Sequence, residues 1–547
     1  MRLVDLTVSI PSKNSKAPLD EAKSPERWRT LEFRVYMVVA CVVLPIMAWI
    51  PISLSSSTHP NYPFYKSRLS PGWIPFRQVD NSDAQYRSFR NNIPVLTVLA
   101  CVYLFVKFIW VGMAAAPPQN NLYLIPFNLV FSVLMLLGLH GTSCIKIFII
   151  LTVNYAIAKI CKGSKIGPLL TWIFNGAVLF ANDRYNGYPF GDISPALQFL
   201  DAYPGFYPRW YISFNITMLR LVSFNMDYYW ACNSRIPLET NPRNMSERDR
   251  QKFAHPKPMH SYPNYLSYVL YPPLYIAGPI MTFNDFLWQH RRPLLVTGRT
   301  ALLYFIRFIA TLLTMELILH FMYVVAIKDR KAWVGATPAE ISMIGFWNLI
   351  IVWLKLLIPW RFFRLWALMD GIDPPENMVR CMANNYSTSG FWRSWHRSYN
   401  LWIIRYIYIP LGGAKNVILN TILVFSFVAL WHDLTFRLLA WGWLISLFVL
   451  PELLASFLLP ASKFGSKGWY RHVCAIGAIV NILMMMAGNL VGFVIGTDGV
   501  RFFMDELLGT SAGLRFLLGA FVCLFVGAQL MFEYREEEKR HGIYRRC

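Results

Sequence analysis

Eleven apolar blocks, most of them close to the length of a membrane-spanning helix, constrain this chain more than any other feature. A helix needs about 20 apolar residues to cross the hydrocarbon, and fewer where the bilayer is locally thinned. Helices also satisfy their backbone hydrogen bonds internally, as lipid surroundings require. The sequence therefore predicts an all-α, polytopic transmembrane helical bundle. The blocks cover 33–54, 93–116, 122–138, 142–160, 166–181, 302–327, 341–360, 417–431, 440–459, 473–495 and 514–532.

The composition supports a membrane protein and excludes other classes. Hydrophobic residues make up 55% of the chain and charged residues 15%, whereas a soluble domain carries about 25% charged residues. The nine cysteines are scattered without a CxxC pair, which excludes a disulfide scaffold. The formal charge of +22 comes from bases between the apolar blocks, where they set topology and meet anionic headgroups. Because no helix-turn-helix, zinc-finger or RNA-recognition pattern accompanies these bases, we expect no nucleic-acid partner.

Three further hydrophobic stretches, 207–230, 262–288 and 391–411, are interrupted by Pro, Gly, Arg, Asn or His at membrane depth. Such residues are tolerated only where they are buried in protein or line a cavity. The loop 235–257 and the arginines that follow residue 290 are basic, which indicates the cytosolic side. Since both ends of 262–288 then lie on one side, its YPPLY and AGP breaks predict a re-entrant hairpin. We expect about ten to twelve crossings, plus at least one re-entrant or broken helix.

The chain is predicted to form one membrane domain, residues 33–532, with polar tails at 1–32 and 533–547. The first tail lacks the apolar core of a cleavable signal peptide, so a later segment must direct insertion. No sequence repeat and no matched pair of Gly/Pro-broken helices relates the two halves. That pattern weighs against the inverted-repeat folds of secondary transporters.

His432 ends the apolar block 417–431 and is a candidate catalytic residue. The block offers it no polar partner, so its ring must face another helix or a cavity. A low dielectric favours the neutral imidazole, which is the form that a general base acting on a hydroxyl requires. The alternative is a buried histidine hydrogen-bonded between helices. Asp433 would point about 100° away on a helix, so we expect it to cap the helix or to face an aqueous vestibule.

His396 is the second candidate and lies in a stretch rich in bases and aromatic residues, FWRSWHRSYNLW. In a continuous helix, residues three and four positions away share a face with it. The residues at those positions are Trp392, Arg393, Tyr399 and Asn400.

Arginines recur along the same hydrophobic stretch at Arg393, Arg397 and Arg405. Their planar guanidinium groups suit an anionic ligand such as a phosphate or a carboxylate. The alternative is that they extend to lipid headgroups, which we expect for Arg405. For Arg393, beside His396, both alternatives stay open.

The sequence lacks the motifs of several other classes. There is no HExxH, CxxC or EF-hand loop, so we expect no metal site. There is also no Walker A motif and no GxSxG elbow, which removes support for an ATP-driven pump or a serine hydrolase.

Three blocks together resemble the membrane-bound O-acyltransferase (MBOAT) family: WRSWHRSYNLWIIRYIYIPLGG, the apolar helix that ends in Trp-His, and the upstream YPPLYIAGPIMTFNDF. This resemblance spans residues 207–443. The segments GIDPPENMVRCMANNYSTSGFWRSWHRSYN and RQVDNSDAQYRSFRNN are similar to the fungal glycerol-uptake-protein branch, which is related to hedgehog acyltransferase. At that level the resemblance covers most of the chain.

The resemblance implies an acyl-CoA-dependent O-acyltransferase in which His432 is the family histidine and His396 the second active-site residue. The second position varies in the family among His, Asn and Asp. The implied acceptor is a lyso-glycosylphosphatidylinositol (lyso-GPI) anchor or another lipid, remodelled in the endoplasmic reticulum; the plasma membrane and glycerol uptake are further associations of the branch. The residues expected to contact substrate are Arg393, Trp395, Arg397, Asn400, Trp431 and Asp433.

The resemblance requires no cofactor but raises the question of haem. Cys381 lies fifteen residues before His396, as a haem-ligating cysteine does before the second active-site residue of hedgehog acyltransferase. A thiolate can bind haem iron, and an ordinary buried thiol is the alternative.

The competing function is a polyol/proton symporter in which His396 and His432 relay the proton. A chain-shaped apolar tunnel leading to His432 favours the enzyme, whereas a polar cavity between two pseudo-symmetric halves favours transport. A catalytically silent scaffold is a third alternative, against which the presence of both histidines argues.

Overall fold

The computed structural model describes residues 24–113, 120–233, 245–432, 434–494, 496–543 and 545. Within these ranges the fold is helical, apart from one short antiparallel hairpin that pairs Leu69 with Asp80. Nine helical stretches of the described chain are long and apolar enough to cross a membrane. The expectation of an all-α polytopic bundle is confirmed, while the number of crossings stays a prediction.

The elements of the first half begin with a long helix and the hairpin. They are α1 (Leu31–Leu54), α2 (Tyr62–Tyr65), β1 (Leu69–Pro71), β2 (Gln78–Asp80), α3 (Ala84–Met113), α4 (Ile125–His140), α5 (Cys144–Cys161), α6 (Ile166–Arg184), α7 (Phe190–Ile193), α8 (Trp210–Asn233), α9 (Glu247–Lys252), α10 (Tyr262–Val269), α11 (Pro272–Tyr275) and α12 (Phe283–Arg291).

The second half contains most of the walls of the cavity described below. Its elements are α13 (Gly298–Phe321), α14 (Val324–Asp329), α15 (Pro338–Met369), α16 (Thr388–Ser394), α17 (Arg397–Ile403), α18 (Val417–His432), α19 (Phe436–Leu458), α20 (Ala461–Phe464), α21 (Tyr470–Asn489), α22 (Gly496–Gly509) and α23 (Ser511–Arg540).

Helix α15 runs through the middle of the bundle and packs against α1, α3, α13 and α22. Its start is defined by the sequence: Thr337 and Glu340 form a capping box around Pro338 at the first turn. This arrangement satisfies amide groups that a helix N-terminus leaves without partners. The 32-residue length of α15 corresponds to about 48 Å, more than the hydrocarbon thickness.

The apolar stretch from α4 to α5 is divided into two helices at Gly141, which directly follows the last residue of α4. This glycine has a φ of 53°, and a β-carbon there would lie 1.9 Å from the carbonyl oxygen of Tyr203. The loop before α8 runs beside this turn, where the amides of Phe206 and Tyr207 donate to the carbonyls of Gly138 and Leu139.

The stretch 262–288 is broken into α10, α11 and α12, as its Pro and Gly residues predict. The buried guanidinium of Arg220 on α8 holds the break by donating to the carbonyl oxygens of Val269, at 2.7 Å, and Leu274. The stretch 207–230, whose hydrophobic pattern is interrupted by polar residues, forms the continuous helix α8 over 24 residues. Its Pro208 precedes the helix, so no Pro or Gly lies inside it to break the hydrogen bonds.

The polar C-terminal tail predicted from residue 533 begins inside a helix, since α23 continues to Arg540. Its polar end is held by ion pairs across the fold. Glu538 accepts two hydrogen bonds from the buried guanidinium of Arg380, at 3.1 and 2.7 Å. Glu533 accepts from the backbone amide of Arg27 and binds Arg540. Charged residues therefore extend this helix beyond its apolar part by pairing with other segments.

Candidate active site

A cavity of about 2310 Å³ lies among α1, α3, α8, α15 to α19 and α21 to α23. Most of its lining residues are aliphatic or aromatic, and a limited set of polar side chains interrupts them. Pockets for small ligands occupy about 300–1,000 Å³, so this space is large enough for a lipid. Both candidate histidines lie in its wall.

His396 lies between α16 and α17 in a left-handed backbone conformation, with φ 45° and ψ 50°. The helix is therefore not continuous through this stretch, and the condition for a shared helix face on both sides of His396 is not met. The amides of Tyr399 and Asn400 still donate to the His396 carbonyl, at 2.9 and 3.1 Å, but Trp392 and Arg393 belong to the preceding helix. A left-handed conformation costs an L-residue about 1–2 kcal/mol, and such strain persists where the surroundings impose it.

Asn377 and Ser394 impose this conformation from both sides of His396. The carbonyl oxygen of Asn377 accepts from the amide of Arg397 at 2.9 Å. Its side-chain oxygen accepts from the amide of Ser398 at 3.0 Å. Before the turn, Ser394 Oγ accepts from the amide of Arg380 at 3.0 Å. These hydrogen bonds are protected from water, because Asn377, Ser394 and Ser398 are all buried.

The imidazole of His396 is held by aromatic rings. It stacks on Trp360 of α15 with ring centroids 4.4 Å apart and an angle of 27° between the planes. The ring of Tyr399, on α17, lies 5.2 Å from the imidazole between centroids. Trp431 lies 6.5 Å from His396 and 4.7 Å from His432. The two histidines therefore flank one tryptophan ring on the wall of the same cavity.

His432 occupies the last position of α18, and its side chain is exposed to the cavity. The preceding Trp431 is fixed by Asn215 of α8: Trp431 Nε1 donates to the Asn215 carbonyl at 2.8 Å, and Asn215 Nδ2 donates to the Trp431 carbonyl at 3.0 Å. Tyr399 stacks on Trp431 at 4.5 Å. Among the described residues, neither candidate imidazole has a hydrogen-bonding partner, which leaves both nitrogens of each ring to a ligand.

The expected substrate contacts divide into two groups. Arg393, Trp395 and Asn400 line the cavity, as does Trp431, and Arg393 is exposed. Arg397 is not in the cavity wall; it pairs with Glu247 of α9 at 3.2 Å. This pairing argues against the expectation that Arg397 binds an anionic ligand, because a carboxylate of the protein already contacts its guanidinium, and the expectation itself stays a prediction. Asp433 lies outside the described residues.

Arg405 does not extend to lipid headgroups as expected. Its guanidinium pairs with the buried carboxylate of Asp227 on α8 at 2.8 Å and lies 4.7 Å above the ring of Trp230. Tyr406 also donates to Asp227, at 3.0 Å. A buried charge is costly unless it is paired and hydrogen-bonded, and here Asp227 and Arg405 satisfy one another.

Cys381 does not fit the role of a haem ligand. Its half-buried side chain is outside the cavity wall, and burial raises the pKa of its thiol. Metal coordination needs the thiolate, which such surroundings disfavour. The described residues also contain no group of three or more His, Cys, Asp or Glu side chains placed to hold a metal ion.

Sequence reasoning missed Trp360, Asn215 and Asn377, which position the two histidines. The position of Asn215 in the sequence could have indicated its role, since a side-chain amide within a membrane-like helix needs a hydrogen-bonding partner. Trp360 and Asn377 carried none, because their importance depends on contacts made in three dimensions.

Residues 202–497 match the family described as MBOAT, membrane-bound O-acyltransferase family. The chain is 46% identical to the membrane-bound O-acyltransferase GUP1 of Saccharomyces cerevisiae, over 98% of this chain and 97% of that protein. It is 42% identical to gup1 of Schizosaccharomyces pombe, over 98% and 94%. A more distant similarity, 31% identity over 34% of this chain and 38% of the other, relates it to the mouse protein-cysteine N-palmitoyltransferase HHAT.

Proposed function

The chain belongs to the membrane-bound O-acyltransferase family and is an acyltransferase, and we propose that it transfers a long fatty acyl chain from acyl-CoA to the hydroxyl of a lipid. The acceptor that we propose is a lyso-GPI anchor, and the location is the endoplasmic reticulum membrane. The observation that carries the proposal is the placement of His396 and His432 in the wall of one large apolar cavity.

His432 is the general base in this proposal. Its imidazole accepts the proton of the acceptor hydroxyl while the hydroxyl oxygen attacks the carbonyl carbon of the thioester. The tetrahedral intermediate then expels the sulfur of CoA, and the proton held by His432 passes to that sulfur. The products are the new ester and free CoA. The imidazole is suited to this cycle because no described residue occupies its nitrogens.

His396 positions the thioester and stabilises the negative charge that develops on its carbonyl oxygen. Its strained backbone and its stacking on Trp360 hold the ring in a fixed place. A donor that is already oriented stabilises a transition state without reorganising at the moment of reaction. The side chain of Asn400, which also lines the cavity, supplies a second donor on the same wall.

Arg393 binds a phosphate of the acyl donor in the proposal. It is exposed at the cavity and, among the described residues, no carboxylate pairs with it. A guanidinium matches the geometry of phosphate oxygens. The acyl chain of the donor extends into the apolar part of the cavity, where α1, α21 and α23 supply aliphatic side chains.

The composition of the wall supports acyl transfer over polyol transport. A polyol pathway needs hydrogen-bonding groups along its length, whereas most residues that line this cavity are apolar. The similarity to fungal O-acyltransferases covers nearly the whole chain, and the resemblance to their glycerol-uptake branch is the support for the lyso-GPI acceptor.

The test uses purified protein in lipid nanodiscs with radiolabelled long-chain acyl-CoA and lyso-GPI, or its lipid part lysophosphatidylinositol. We expect label in the acylated lipid for the wild type and a loss of at least about 10²-fold in His432→Ala. His541→Ala, at an exposed position near the C-terminus, is the matched control and should retain activity. Near-normal acyl transfer by His432→Ala would show that His432 is not the general base. Uptake of glycerol by proteoliposomes without acyl-CoA would favour transport over acyl transfer.

A further inference from the structure

A second pair of polar side chains, His140 and Tyr275, interrupts the apolar wall of the same cavity. His140 is the last residue of α4, and Tyr275 is the last residue of α11 in the broken stretch. Their side chains meet at 3.1 Å between His140 Nε2 and the Tyr275 hydroxyl. Both residues are buried in the fold.

The backbone around the pair fixes the direction of its hydrogen bonds. His140 Nδ1 lies 2.8 Å from the carbonyl oxygen of Tyr207. A carbonyl oxygen only accepts, so Nδ1 carries the proton, and Nε2 of the neutral ring is an acceptor. The Tyr275 hydroxyl therefore donates its proton to His140. What remains on Tyr275 is an oxygen with lone pairs, which can only accept a further hydrogen bond.

Independent contacts hold each member of the pair in place. The Arg220 guanidinium binds the carbonyl of Leu274, next to Tyr275. The turn at Gly141 lets the loop containing Tyr207 approach His140, because a β-carbon at Gly141 would overlap that loop. The oxygen of Tyr275 is thus an oriented acceptor in an apolar wall.

The pair lies on the side of the fold away from the basic loops. Helix α4 follows Asn121, whose amide donates to the carbonyl of His290 beside the arginine-rich segment. The 16 residues of α4 carry the chain about 24 Å from there to His140. Ser213 and Ile216 of α8 also line the cavity on this side, and α8 contacts Trp431 through Asn215. The wall is therefore continuous from His432 to Tyr275.

We propose that Tyr275, oriented by His140, binds a second hydroxyl of a polyol headgroup on the acyl acceptor. This inference rests on the proposed function and identifies the acceptor class as a lipid with at least two hydroxyls. One hydroxyl reacts at His432, and another donates to Tyr275. An acyl chain and a thioester group have no hydrogen-bond donor to offer this oxygen, whereas a polyol headgroup has several.

The test measures equilibrium binding of tritiated lysophosphatidylinositol to the detergent-solubilised full chain, without acyl-CoA. We expect Tyr275→Phe to raise the Kd about three- to tenfold, the loss of one neutral hydrogen bond. A fatty alcohol of the same chain, with a single hydroxyl, should compete equally well in the wild type and in Tyr275→Phe. Because no transfer is measured, a failure of the proposed reaction and a failure of this subsite are separate results.

Tyr268→Phe is the matched control. Tyr268 lies in the same broken stretch and donates to the carbonyl of Met281 at 2.7 Å, but it is not in the cavity wall. We expect its Kd to stay at the wild-type value. Any of three results would overturn the proposal: an unchanged Kd in Tyr275→Phe, an equal loss of affinity in Tyr268→Phe, or an equal loss of affinity for the fatty alcohol in Tyr275→Phe. If Tyr275→Phe does not fold, His140→Asn removes the Nε2 acceptor and should also weaken polyol binding, and its unchanged affinity would count against the subsite.

Discussion

The left-handed backbone of His396 yields a prediction in which stability and activity separate. We consider His396→Gly and His396→Val, which both remove the imidazole. Glycine adopts the observed φ of 45° freely, whereas a β-branched residue there is a genuine outlier. Both variants should lose the activity that depends on the imidazole, yet they should differ in folding.

The magnitudes follow from three terms. Glycine recovers the backbone cost of about 1–2 kcal/mol. It loses the stacking of the imidazole on Trp360, about 0.5–1.5 kcal/mol at the observed 4.4 Å. It also gains about 0.5–1 kcal/mol of freedom in the unfolded chain. These terms nearly cancel, so the free energy of unfolding of His396→Gly should stay within about 1 kcal/mol of wild type.

Valine loses the same stacking but recovers none of the backbone cost. His396→Val should therefore be less stable than His396→Gly by about 1 kcal/mol, which is the backbone cost less the freedom that glycine gains in the unfolded chain. The strain of a β-branched residue at positive φ adds to this difference. The assay is unfolding by sodium dodecyl sulfate in mixed micelles, followed by circular dichroism, with acyl transfer measured on the same preparations.

His472 provides a matched control in a right-handed helix. It lies within α21 and stacks on Phe525 with centroids 6.0 Å apart. There glycine should be the less stable of the two variants, because it is a poorer helix former than valine. If valine is at least as stable as glycine at position 396, the strain argument is refuted.

Four other substitutions test three further features: an ion pair, a tight turn and a buried histidine. Because Arg397 and Glu247 pair with each other, Arg397→Gln and Glu247→Gln should each reduce the free energy of unfolding by about 1.5–3 kcal/mol and leave the KM for acyl-CoA unchanged. A KM increase in Arg397→Gln alone would contradict this. Gly141→Ala should reduce the free energy of unfolding by more than about 2 kcal/mol, because the β-carbon of alanine would overlap the Tyr203 carbonyl. Size-exclusion chromatography in detergent should then show a loss of monodisperse protein. Burial lowers the pKa of His255 from its ordinary 6.5 to about 3. Between these pH values the unfolded chain binds more protons than the folded chain, so the free energy of unfolding should fall as the pH drops below about 6.5. His255→Gln should make that decline shallower by up to about 1.4 kcal/mol per pH unit, and an unchanged slope would contradict this.

The sequence predicted the features that depend on local pattern. The apolar blocks gave the long helices, and the Pro and Gly residues of 262–288 gave its breaks. His432 was found because an ionisable group at the end of an apolar helix is unusual. These signals are contained within one segment, so they do not need knowledge of which segments meet.

Features that depend on distant partners were not predictable in the same way. Arg397 and Arg405 occur in one basic, aromatic stretch, yet their carboxylate partners, Glu247 and Asp227, lie more than a hundred residues earlier. Nothing in the spacing of the arginines distinguishes these two from Arg393, which has no such partner among the described residues. The difference arises from the packing of α8 and α9 against the stretch.

The break at His396 has a physical role that a continuous helix would not provide. On its first side, Ser387 Oγ and the Ser389 amide donate to Glu452 of α19, at 2.7 and 3.2 Å. On its second side, Ser398 Oγ accepts from the amide of Ile280 at 2.9 Å, in the broken stretch. The two helices are thus fixed to different parts of the bundle, and the strained residue joins them. Because the imidazole lies at that junction, its position depends on both parts of the bundle at once, and this dependence holds the side chain in a fixed place relative to His432.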